Sequence, residues 1–235
     1  MKQDSGPGAG NHFNKQFLFD QELSNIRPFL NPELTSIILK IPKYEIQHMI
    51  RVGYLHYFLS AQIVKTSQFS PFEDLLLSFE NLAFFHDIGK AWISSKILMK
   101  PKELTLWEYE QIKCHPVYAQ KYIESRPGLF EDGYFIRRLV FNTAVFHHEW
   151  WNGKGYPYGL IEEKIPLTAR ITSICDAYDA ITNGRPYKEA RTHLEACQEI
   201  EKWAGKQFDP ALVAIFLNAE GLIEKTMQKG EFVKK

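Results

Sequence analysis

The chain of 235 residues lacks most of what marks the simpler protein classes. It has only 3 cysteines, Cys114, Cys175 and Cys197, far apart, odd in number and never in a Cys-x-x-Cys pair. That argues against a disulfide framework and for a reducing, cytoplasmic setting. There is no net charge, since 28 Lys and Arg balance 28 Asp and Glu. A general DNA binder or a membrane-surface binder carries a basic excess, so neither class fits. No apolar run approaches the ~18–20 residues that span a bilayer. Met1 to Asn14 is polar and Gly-rich, without the hydrophobic core of a signal peptide. Alternating strand pattern is missing too, apart from a few residues around Ile161 to Pro166, and no internal repeat is evident.

What is present is helical periodicity, which predicts an all-α fold. Residues 1–30 read as a tail and lead-in, 31–223 as one domain, and 224–235 as a charged, loose tail. Asn31-Pro32-Glu33 starts a short helix, with Asn as cap and Pro in the first turn. Tyr44 to Ser67 has the length and apolar spacing of a long helix. Ser70-Pro71 opens another that runs to His86-Asp87, with Gly89 placed to end it. Thr105 and Glu108 form a capping box for a helix through Cys114-His115, which Pro116 kinks or restarts. Phe135 to Glu149 and Thr168 to Asn183 are further helices, and Asp209-Pro210 caps a last one through Asn218. The stretch ahead of His48 is too short for a separate sensory domain of ordinary size.

The chemistry-bearing residues fall inside or at the ends of these helices: His48, His86, Asp87, His115, His147, His148 and Asp176. Imidazole and carboxylate donors without thiolate suit Fe, Mn, Zn, Co or Ni. They outnumber what one tetrahedral zinc takes, and they match two divalent ions with Asp87 as the bridge. Each histidine has a bland alternative as a packed or surface residue. His12 and His193 fit that alternative. His56 shares a helix with His48 but lies about 80° round it, so one of the two faces the site. Cys114 and Cys175 read as small thiols packed beside it. Adjacent His147 and His148 can serve one site only if it holds more than one metal, or if the helix ends there and the chain bends. Gly153, Gly155 and Pro157 supply such an ending.

Taken in order, these segments resemble the HD-GYP domain, a subfamily of HD phosphohydrolases. The likeness covers roughly residues 44–218. It rests on His48-Met49-Ile50-Arg51-Val52, His86-Asp87-Ile88-Gly89-Lys90, Lys102-Glu103-Leu104-Thr105 before His115-Pro116, and His147 through Leu160. It continues with Ile165-Pro166-Leu167, Ala169-Arg170-Ile171, Asp176 through Thr182, Arg185-Pro186-Tyr187 and Gln207-Phe208-Asp209-Pro210. The resemblance selects His48 over His56. It implies a five-helix HD core with additional helices around a binuclear iron or manganese centre. A third metal in some members uses a Glu one turn before the first His, where this chain has Tyr44, with Glu45 one residue out of register.

The activity implied is hydrolysis of cyclic di-GMP to pGpG, and onward to GMP, by a metal-bridging hydroxide. A mixed cyclic dinucleotide is a related substrate. Lys90 and Asp87 are the implied catalytic residues. Arg185, Lys188, Lys90, Asp179 and Tyr156 are implied substrate contacts, with Asp179 alternatively supporting a ligand histidine. The loop Gly153, Gly155, Tyr156, Pro157 either shapes the pocket or docks a GGDEF-type cyclase. Trp150 and Trp151 can stack on guanine or form a lid or interface. Asn152 stands where the family usually has Asp, which bears on how the loop is fastened. A non-catalytic nucleotide receptor or scaffold, and other HD chemistries such as nucleotide monophosphate hydrolysis or di-iron oxygenation, are the competing functions.

Overall fold

The computed structural model describes residues 30–66, 80–130, 134–184 and 189–228. Helix α1 (Pro32–Ile38) is capped by Asn31, whose side chain accepts from the Leu34 amide at 2.8 Å. Helix α2 (Lys43–Lys65) has 23 residues, about 35 Å of rod. Ile46, Met49, Val52, Leu59 and Ile63 form its buried stripe, and His48 lies beside that stripe. It packs on α3 (Glu80–Ala83), on α8 (Leu167–Thr182) and on α10 (Pro210–Asn218). Phe84, Phe85 and Phe216 are among the largest fully buried side chains of the core this creates.

The start expected at Ser70-Pro71 lies outside the described residues. Beyond α3 the chain tightens into a 3-10 helix over Phe84–Trp92, so the His86-Asp87 pair sits within a continuing helix rather than at an end. Gly89 does not stop it. Its role is close approach: a Cβ there would lie 1.9 Å from the carbonyl oxygen of His115 and 2.9 Å from the amide of Ala119. The missing side chain lets the 3-10 segment lie directly on α6 (His115–Glu124), which brings Asp87 and His115 together.

A short turn, α4 (Ser95–Leu98), leads to α5 (Leu106–Ile112), which opens on the Thr105–Glu108 capping box. Pro116 falls in the first turn of α6 and restarts the helix there. Helix α7 (Tyr134–Phe146) ends before His147, short of the expected Glu149. Strand pairing at Ile161 to Pro166 reduces to an isolated bridge between Asn152 and Ile161 and a 3-10 turn at Glu162–Lys164. Helix α9 (His193–Lys202) was not expected, although Thr192 and Glu195 make a complete capping box. Asp209 caps α10 as anticipated. The loose tail expected from Glu224 begins instead as part of α11 (Glu220–Gln228), where Ile223 is buried and Met227 packs on the core.

Substituting Gly89→Ala should force α6 away and cost about 2–3 kcal/mol. Gly128→Ala, where an added Cβ meets nothing within 4 Å, should leave the thermal midpoint close to wild type. Equal midpoints for the two variants in thermal denaturation would contradict the close-packing role.

Candidate metal centre

Candidate donors from five places converge: His48 on α2, His86 and Asp87 on the 3-10 segment, His115 at the start of α6, His147 and His148 in the turn after α7, and Asp176 on α8. They form two groups that share one residue. His48, His86 and Asp87 make the first, and Asp87, His115, His147 and His148 the second. His86 and His115 are fully buried, His147 nearly so, and the Asp176 side chain is 13 % exposed, marking the open side.

The orientation of the rings says what they are for. Nδ1 of His86 lies 2.9 Å from the Ala83 carbonyl, Nδ1 of His115 lies 2.8 Å from that of Ile112, and Nδ1 of His147 lies 2.9 Å from that of Thr143. His48 Nδ1 lies 2.7 Å from Asp179 Oδ2. A carbonyl or carboxylate oxygen can only accept, so each Nδ1 carries a proton and each Nε2 is turned inward. Those Nε2 atoms face one another: His86 and His48 at 3.3 Å, His115 and His147 at 3.3 Å. Facing lone pairs repel unless a cation lies between them. Two nitrogens on one metal, with bonds of about 2.0–2.2 Å, stand about 3.0–3.5 Å apart, the separation that these pairs have.

Asp87 divides its oxygens between the groups. Oδ2 lies 3.2 Å from His86 Nε2 and 3.5 Å from His48 Nε2, whereas Oδ1 lies 3.1 Å from His115 Nε2 and 3.9 Å from His147 Nε2. Oδ1 is buried and has no hydrogen-bond partner among the described residues, a costly state for a carboxylate oxygen that a cation would relieve. The residues present therefore fit a pair of divalent ions.

Protonation follows the same logic. Burial pushes the His115 imidazole down to about 4 and that of His148 to about 3, and burial with neighbouring histidines holds His147 well below its usual value. For Asp87, burial favours the neutral acid, but Lys90 and His86 outweigh it and keep the carboxyl ionised. Asp176 stays ionised against burial through His48. His48 differs: burial disfavours its charge, yet hydrogen bonds to Asp176, Asp179 and Asp87 raise it well above the ordinary imidazole value. Neutral histidines and ionised carboxylates are the forms that bind metal, so an ion at His48 would displace a proton from its ring.

Asp179, expected as a substrate contact or as support for a ligand histidine, is 1 % exposed and engaged inward. Besides His48 it accepts from Arg51 Nε at 2.7 Å and Nη2 at 2.9 Å, and from Asn183 at 2.9 Å. It orients a ring rather than meeting substrate. Lys90 is also buried, with Nζ 2.6 Å from Asp87 Oδ2 and 2.7 Å from Glu45 Oε2. Tyr44 is turned away, its hydroxyl hydrogen-bonded to the Leu98 carbonyl oxygen. His56, the competitor of His48, is 1 % exposed and bonded through Nδ1 to Thr172 at 2.8 Å, outside both donor groups.

The glycine-bearing loop is tied down from below by Glu149, a residue to which the sequence pattern gave no role. Its carboxylate accepts from the Tyr158 amide at 2.6 Å and the Leu160 amide at 3.0 Å. An added Cβ at Gly155 would fall 2.2 Å from the Trp150 amide, so only glycine fits there. Gly153, with φ of 78°, turns the chain, and Pro157 follows a cis peptide. Tyr156 then lies stacked on His148, with ring centroids 4.8 Å apart. Asn152 accepts from the Lys154 amide at 3.0 Å, the turn bond that an Asp would also make. Trp150 packs on Trp203 and Trp151 on Arg170, whose guanidinium reaches Asp209 at 2.5 Å. Both tryptophans are thus used in fastening the loop to α8, α9 and α10. Arg185 and Lys188 lie outside the described residues.

Asp179→Asn keeps the shape but weakens the acceptor that fixes the His48 tautomer. Metal affinity should fall about 10–100-fold while the fold survives, as read by metal titration alongside circular dichroism. Unchanged affinity would contradict the orienting role.

The chain is 33 % identical over 207 residues to a cyclic di-GMP phosphodiesterase of Pseudomonas aeruginosa, covering 87 % of this chain and 46 % of that protein. It is 36 % identical over 174 residues to a cyclic di-GMP phosphodiesterase of Thermotoga maritima, covering 74 % and 44 %. A 3'3'-cGAMP-specific phosphodiesterase of Vibrio cholerae is 33 % identical over 138 residues, covering 59 % and 25 %. The chain thus spans less than half the length of these relatives. Among solved structures, an HDG"Y"P protein from Bdellovibrio bacteriovorus superposes with a TM-score of 0.51 at 16 % identity, over 74 % of this chain and 52 % of that one, a likeness of fold. The family model for the HD domain matches residues 73–212, more than half of the sequence, and the chain belongs to the HD domain family.

Proposed function

We propose that the chain is a metal-dependent phosphodiesterase that hydrolyses cyclic di-GMP to linear pGpG, and onward to GMP, with iron or manganese as the metal pair. The observation that carries this reading is the division of Asp87, one oxygen to each histidine group. When bound, two divalent ions so bridged lower the pKa of a shared water and neutralise phosphoryl oxygens. His48, His86 and Asp176 would hold one ion, and His115, His147 and His148 the other, with Asp87 common to both. The Glu that would recruit a third ion is missing: Tyr44 is bonded elsewhere and Glu45 faces Lys90. Both arrangements support reading the centre as binuclear.

The chain's own groups do the rest. Lys90 keeps Asp87 ionised and is the proton-bearing cation beside the centre, suited to the scissile phosphate or the leaving oxygen. Asp179 and Arg51 hold the His48 ring in place. Tyr156, half-buried and stacked on His148, forms the wall next to the open side and offers a face for guanine. Arg185 and Lys188, just after α8, would grip phosphate and guanine edges. Exposed Lys154 and Tyr158 on the outer side of the loop suit docking of a GGDEF-type partner.

Anaerobically purified protein with Mn²⁺ or Fe²⁺ should convert cyclic di-GMP to pGpG, followed by chromatography. A 3'3'-cGAMP incubation in parallel tests the mixed substrate, for which the likeness to the Vibrio cholerae enzyme speaks. Nucleotide binding without turnover of either compound, with either metal, would contradict the enzyme and leave a receptor.

A further inference from the structure

Away from the HD residues, α9 and α11 bring together His193, Cys197 and Glu220, whose donor atoms all lie within 4.8 Å of one another. His193 and Cys197 are four residues apart on α9, so they share a face. Cys197 Sγ lies 3.6 Å from His193 Nε2 and 3.9 Å from Nδ1. For a tetrahedral zinc, with bonds of about 2.05 Å to nitrogen and 2.3 Å to sulfur, the nitrogen and sulfur stand about 3.6 Å apart.

The histidine ring is held by a hydroxyl, which can accept as well as donate. Its Nδ1 lies 2.9 Å from the Tyr178 hydroxyl. A proton on Nδ1 donated to that oxygen frees the Nε2 lone pair towards the sulfur. Cys197 is buried and Glu220 is exposed at the first turn of α11, with a carboxylate oxygen within 4.8 Å of the sulfur. Glu224, one turn further along α11, is near enough to act on the Cys197 thiol. The set is therefore one sulfur, one nitrogen and one or two carboxylates, closed on the protein side and open at Glu220.

We propose that His193, Cys197 and Glu220 form a structural site for a borderline-soft divalent cation, zinc above all, separate from the HD centre. A single thiolate with imidazole and carboxylate selects zinc over the harder magnesium and calcium. Binding breaks the S–H bond of Cys197, releases that proton to solvent, and places the ion among the three donors, with water as fourth. The ion ties α11 to α9 and so fastens the C-terminal helix. Nothing in this depends on the phosphodiesterase reading.

Cobalt distinguishes the two centres, because the HD groups offer only nitrogen and oxygen donors. Titrating the full chain with Co²⁺ should produce a near-ultraviolet thiolate-to-cobalt charge-transfer band that Zn²⁺ bleaches. The band should persist in Cys114→Ser and Cys175→Ser, vanish in Cys197→Ser, and need more cobalt in Glu220→Gln. His193→Gln, checked for folding by circular dichroism, should also lose it. A folded wild type without the band, or a band that survives Cys197→Ser, would overturn the site and leave a hydrogen-bonded thiol only.

Discussion

The rest of the structure depends on a buried carboxylate that must be shared. Asp87 is 2 % exposed, and one of its oxygens has no hydrogen-bond donor among the described residues. An ionised carboxylate in that state costs several kcal/mol unless cations compensate it. Lys90 compensates one oxygen, and the histidine groups are arranged around both. Much of the surrounding fold follows from that requirement. Gly89 lets α6 approach, the Nδ1 bonds turn the imidazoles inward, and the end of α7 allows two successive histidines to reach one place.

The second layer is charged in compensation. Asp179 sets His48, and Arg51 balances Asp179. Glu45 balances Lys90. Asp179, Lys90 and Glu45 each have an opposite partner within hydrogen-bond distance, which is how a centre rich in ionisable groups is tolerated inside a helical core. The loop after His148 uses the same economy: Glu149 satisfies two amides, Asn152 a third, and Tyr156 covers a histidine ring.

Helices with a cap and a hydrophobic stripe were legible in the sequence, because both signals are local. Asn31, Thr105 and Asp209 mark their helix starts to the residue. The donors were legible as types and doublets, and their convergence came from family resemblance, since spacing alone left His48 and His56 open. What the sequence hid depends on contacts between distant segments. Gly89 looked like a helix stop, yet its job is set by the His115 backbone. Glu149 looked like a helix residue and is the loop's anchor. Trp150 and Trp151 invited a stacking role and are taken up by Trp203 and Arg170. His193 passed as a surface histidine because its partners, Tyr178 and Glu220, come from other helices.

The central claim is that Asp87 joins two ions. Electron paramagnetic resonance of the Mn²⁺-loaded protein tests it most directly. A carboxylate-bridged pair about 3.5–4 Å apart should give the signature of exchange-coupled manganese. Asp87→Asn should abolish that coupling while the helical circular dichroism is kept. Only uncoupled, mononuclear manganese in the saturated wild type would contradict the bridge.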